Sequence, residues 1–149
     1  MADIKLSPAP RTLYNLAQIV ICKSLWNNPS VKELLLEKLR LTRPNPVTAF
    51  QLDVFEYCER HNRSFYEVYE NIEKLILPVE IKKELLPLAR TIGFMIWDWL
   101  NGMRENQLCD MRYYLDNIQW SRDFTIDAEE TYRTMYYLGL LPLTERTWT

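Results

Sequence analysis

The segment from Pro10 to Trp26 limits the possible folds more than any other. Pro10 and then Thr12, a candidate N-cap, precede a run that reaches Trp26 without another Gly or Pro, so nothing interrupts a helix. Leu13, Leu16, Ala17, Val20 and Ser24 recur at helical spacing and share one stripe. Tyr14, Ile21 and Leu25 form a second stripe beside it, and Ile19 adds an apolar residue outside both. Asn15, Gln18 and Lys23 are the strongly polar exceptions. A helix this apolar is expected to be covered on two sides, by its own domain or by another protein.

The remaining chain repeats the helical pattern. Asn27-Asn28-Pro29-Ser30 breaks the first helix, and Ser30 with Glu33 reads as a capping box for a helix from Val31 to Leu41, with Val31, Leu34, Leu35 and Leu39 inward. Thr42-Arg43-Pro44-Asn45-Pro46 is the clearest linker, because two prolines stop a helix. Phe50, Val54, Tyr57 and Cys58 then set the buried side of a helix from Val47 to His61. Ser64 and Glu67 read as a second capping box. Pro78 suits a helix start, Pro87 a kink rather than an end, and Gly102 a C-cap. Leu108 to Ile118 is amphipathic, and Thr125 or Asp127 caps a last helix that stops at Gly139. The expected fold is all-α, an irregular bundle of six to eight helices. Residues 1–149 form one domain, with a possible division into 10–60 and an aromatic-rich 61–149.

Only 3 glycines occur in 149 residues, which favours helices over hairpins. A hydrophobic share of 48% is enough for a substantial core. The net charge of −2 opposes a general nucleic-acid binder or attraction to anionic membranes. From Phe94 onward, 5 Arg face 9 acidic residues and no Lys occurs, so this half is acidic as well as aromatic. The longest apolar run, Thr91 to Leu100, is too short for a membrane span and contains Asp98. Cys22, Cys58 and Cys109 are widely spaced, and Met-Ala-Asp-Ile-Lys has no apolar leader, so a reduced protein of cytoplasm or nucleus is expected.

The pattern Thr12-Leu13-x-x-Leu16-Ala17-x-x-x-Ile21 resembles the BC-box, the elongin C-binding helix of SOCS-box and related substrate receptors of cullin-RING ubiquitin ligases. In that family a Ser, Thr or Pro precedes a pocket-filling Leu. A small Cys or Ala follows four residues later, and an aliphatic residue lies beyond. The resemblance implies Leu13 as the anchor and Ala17 as the point of close approach. Leu16, Val20 and Ile21 would be flanking contacts, with elongin C, accompanied by elongin B, as the partner.

SOCS-box proteins continue with a Pro-led segment that meets a cullin, and two stretches resemble it. Leu75-Ile76-Leu77-Pro78-Val79-Glu80-Ile81 through Leu85 has the right sequence shape but lies far downstream. Asn45-Pro46-Val47 through Phe55 has better spacing but lacks the Leu before Pro46.

Chemistry for catalysis is sparse. His61 is the single histidine, three residues after Cys58, and with Cys22 and Cys109 it would complete a zinc ligand set. Single thiols inside helices are poor candidates for that role, so no metal or other cofactor is expected. Gly93, Gly102 and Gly139 are isolated and form no phosphate loop. Acidic pairs such as Glu129 and Glu130 sit at a helix start, where the dipole accounts for them. Most aromatics of the second half are expected in the core and some on a binding surface. Tyr113/Tyr114 and Tyr136/Tyr137 are adjacent, so each pair must divide between inside and outside. The sequence therefore reads as a non-enzymatic adaptor, with a further protein partner at the aromatic half. The competing reading is a helical interaction or oligomerisation scaffold, such as a viral host-directed protein, with helix 11–26 as core.

Overall fold

The computed structural model describes residues 12–41, 52–104 and 109–141. These residues form seven α-helices: α1 Leu13–Trp26, α2 Pro29–Leu41, α3 Leu52–Arg60, α4 Arg63–Glu73, α5 Val79–Met103, α6 Met111–Asp116 and α7 Ala128–Tyr137. The one β feature among them is an isolated antiparallel bridge between Trp120 and Ile126. The fold is all-α, as the helical periodicity required.

Side-chain caps set several helix starts. Thr12 accepts from the Asn15 N–H at 3.1 Å, and Asp127 from the Glu130 N–H at 3.0 Å. Two expected caps are shifted. Asn28, not Ser30, accepts the Ser30 N–H at 2.9 Å, and α2 starts on Pro29. Asn62, not Ser64, caps α4, and Ser64 is buried in the first turn. The reason is common to both: each Asn stands two residues before the serine, and its amide oxygen accepts the serine N–H.

Pro87 lies inside α5, which runs on to Met103. Gly102 is therefore helical and not a cap. Gly139 does end a helix: it follows the Leu138 C-cap at φ 72°, where a side chain would be strained. Leu34 is only half-buried, and Tyr57, expected inward, is exposed and rests on His61 at 4.3 Å between ring centroids. Phe50 lies outside the described residues.

The core centres on α1 and α5, with α2 and α4 closing it. The Trp26 indole N–H donates to the Ala89 carbonyl at 2.8 Å. The Cys22 thiol points at the Leu85 carbonyl, 3.6 Å away. Tyr14 and Gln18 both reach Glu84. Contacts thus advance along both helices in the same direction, and α1 and α5 run parallel.

Trp26 packs edge-on against Phe65, with centroids 4.9 Å apart. Gly93 makes this possible, because a Cβ there would lie 2.2 Å from Trp26 Cζ2 and 2.8 Å from Phe65 Cε2. In the second half Tyr114 is fully buried, in T-shaped contact with Trp99 and Tyr132, whereas its neighbour Tyr113 is exposed. Tyr137 is exposed and Tyr136 packs inward.

Gly93→Ala should therefore cost about 1–3 kcal/mol by overpacking, despite the roughly 1 kcal/mol by which Ala outdoes Gly in a helix. Gly102→Ala, with nothing within 4 Å of the new methyl, should instead be neutral or stabilising. Urea unfolding of the two variants checks the contrast.

Candidate docking face on the first helix

Which face of α1 enters the core is decided by Ile19, Cys22 and Trp26, all at 1% exposure or less. They fall at i, i+3 and i+7 and form a continuous buried stripe. Ile19, which lies outside both apolar stripes, thus belongs to the core. The stripe that begins at Leu13 points the other way. Leu13 is 84% exposed and Val20 63%, and Ala17 and Ser24 are exposed as well. At about 100° per residue these four share an arc of about 60°, opposite the core stripe. Leu16 and Ile21 are half-buried on its two shoulders. Thr12 caps the helix at the exposed end. The structure thus turns Thr12, Leu13, Ala17 and Val20 to solvent, with Leu16 and Ile21 half-buried at the edges of that face.

Polar side chains fix the N-terminal half of α1, where the apolar stripe gives no purchase on the core. The Tyr14 hydroxyl donates to Glu84 Oε2 at 2.5 Å, and the Gln18 amide donates to the same oxygen at 2.9 Å. Donation to a carboxylate holds the Tyr14 phenol above its usual pKa. Gln18 is buried at 6% exposure, so its amide needs such a partner.

The same hydrogen bonds place one of the two proline segments. Glu84 lies early in α5, and Pro78 is the exposed N-cap of that helix. Parallel packing therefore sets the stretch around Pro78 at the end of the bundle that holds Leu13. Within that stretch Leu75, Leu77 and Ile81 pack against the core, Leu85 is buried, and Ile76 and Val79 are exposed at 100% and 60%. Pro46 lies outside the described residues.

Three features of this region lie outside the expected contact set: the core stripe itself, the Tyr14–Gln18–Glu84 clamp, and a contact of Lys23. Its ammonium lies 4.6 Å from the Trp120 ring centroid and 4.9 Å from that of Phe124. The spacing of Ile19, Cys22 and Trp26 was visible in the sequence. The two long-range contacts had no local signal.

The possible zinc ligands do not converge. Among the described residues no three of His, Cys, Asp and Glu form a metal-binding group. Burial pushes the Cys22 thiol up to about 12, the range of an unreactive core thiol. Among the described residues no helix is long and apolar enough to cross a membrane. Comparison with protein-family models, curated proteins and solved structures gives no match to this chain.

The two faces of α1 should separate in stability measurements. Leu13→Ser and Val20→Ser should change the unfolding free energy by no more than about 0.5 kcal/mol. Ile19→Ala should lose about 2–5 kcal/mol, because it empties a filled core position. Urea unfolding followed by circular dichroism reads all three.

Proposed function

We propose that this chain is a non-enzymatic adaptor that docks on elongin C through the outer face of α1 and presents a partner to a cullin-RING ubiquitin ligase. The observation that carries this reading is the exposure of Leu13, Ala17 and Val20 on the side of α1 away from the core. An apolar stripe left in water favours a partner that covers it. The helix is already formed and capped in the isolated chain, so docking need not supply the cost of ordering it.

In this reading Leu13 fills a pocket on elongin C. Ala17 lets the two backbones approach, and Leu16, Val20 and Ile21 extend the contact along the helix shoulders. Elongin B accompanies elongin C. The cullin meets the segment around Pro78, at the end of the bundle that holds Leu13. The acidic, aromatic second half carries the further protein partner, and ubiquitin transfer belongs to the assembled ligase in the cytoplasm or nucleus.

The test is co-expression with elongin B and elongin C, followed by size-exclusion chromatography with light scattering. The wild type should co-elute as a ternary complex. Leu13→Ser should keep its helicity and bind about 10–100-fold more weakly, the worth of one buried Leu. A well-folded wild type that does not co-elute would overturn the proposal. If that protein also ran as a dimer, dissociated by Leu13→Ser, the face would belong to a self-associating scaffold.

A further inference from the structure

Beyond the exposed stripe, where Ser24 ends it, α1 borders a cavity of about 380 Å³. The walls come from α1, α2, α5 and α6 and from the segment after α6. Trp26, Ile96, Leu115 and Trp120 supply apolar surface, and Lys23, Lys32 and Asp116 supply charge. We propose that this cavity binds a small carboxylic acid with an apolar body, its carboxylate on the Lys23 ammonium and its body against Trp120. The inference is independent of the elongin reading, because Lys23 and Trp120 take no part in that contact.

The two lysines are not equivalent. Lys32 is already neutralised by Asp116, with an N–O distance of 2.9 Å. Lys23 meets ring faces instead, and among the described residues no carboxylate lies within ion-pair reach of it. Ring faces hold a cation in place, but they offer no localised lone pair to its three N–H donors. Partial burial already lowers the Lys23 pKa, the mark of a charge that has lost water without gaining a counter-charge.

A carboxylate would supply both the charge and the acceptors. One uncompensated cation matches a monoanion. A phosphate dianion would leave a net negative charge in the cavity, beside the Asp116 carboxylate. The volume lies within the range of ordinary ligand pockets, and the lining offers both polar and apolar side chains to a ligand. Ser24 and Asp116 are exposed, so the cavity opens to solvent.

The test is a titration of the full chain with hydrocinnamate and with its neutral amide, hydrocinnamamide, read at the assigned Trp120 indole N–H by NMR. The acid should shift this resonance saturably, and the amide should bind at least about tenfold more weakly. Lys23→Met keeps the apolar stem and should weaken the acid to the level of the amide, whereas Lys23→Arg should retain binding. Equal binding of acid and amide, or no saturable shift, would overturn the proposal. That comparison uses the wild type, so it decides even if Lys23→Met does not fold. A blocked tripeptide with a central glutamate forms the remaining arm. Tighter binding of the peptide than of hydrocinnamate would assign the site to an acidic protein segment and overturn the small-acid proposal.

Discussion

Trp26 reaches the Ala89 carbonyl because Gly93, one turn further along α5, has no side chain to block the indole. This contact fixes how far α1 is rotated about its own axis, and much else follows from that angle. With Trp26 inward, Cys22 and Ile19 must also face inward, since they lie on the same helical stripe. Leu13, Ala17 and Val20 are then turned to water. A buried aromatic is worth more than any residue of the exposed stripe, and its N–H is satisfied where it lies. The core therefore takes the face that carries Trp26, and the opposite apolar face remains over.

That face carries a small energetic cost. Leu13 and Val20 together forgo a few kcal/mol of burial, a cost the folded chain can bear while the core beneath is filled. The clamp from Tyr14 and Gln18 to Glu84 keeps the first two turns of α1 seated without using the apolar stripe. Parallel packing of α1 on α5 has a second consequence: residues far apart in the chain, Leu13 and those around Pro78, share one end of the bundle. At the opposite end, Lys23 is carried between Trp120 and Phe124, which ties α1 to the aromatic second half.

Much of this was legible in the sequence. The segment from Leu13 to Trp26 forms one helix, and the residues grouped around Leu13 do share a face. The division of each adjacent tyrosine pair also holds, because neighbours on a helix diverge by about 100°. The direction of the Leu13 face was not legible. α1 is apolar around most of its circumference, and periodicity cannot rank two apolar stripes when the deciding contact is with Gly93, far along the chain. Capping failed more locally: Ser30 and Ser64 fit a capping-box pattern, but Asn28 and Asn62 stand nearer the free N–H groups. Gly102 looked like a helix end only because glycine commonly occupies one. Charge clamps such as Tyr14 to Glu84 join exposed polar residues of ordinary composition, so no pattern in the chain announces them.

The rotational setting of α1 underlies both the core and the proposed docking face, and it can be measured without any partner. Methyl NMR of the labelled chain with a soluble paramagnetic agent reads it residue by residue. The methyls of Leu13 and Val20 should be strongly relaxed by the agent, and those of Ile19 protected. Protection of Val20 with relaxation of Ile19 would mean that α1 is turned the other way. That outcome would contradict the Trp26–Gly93 contact and the docking face together.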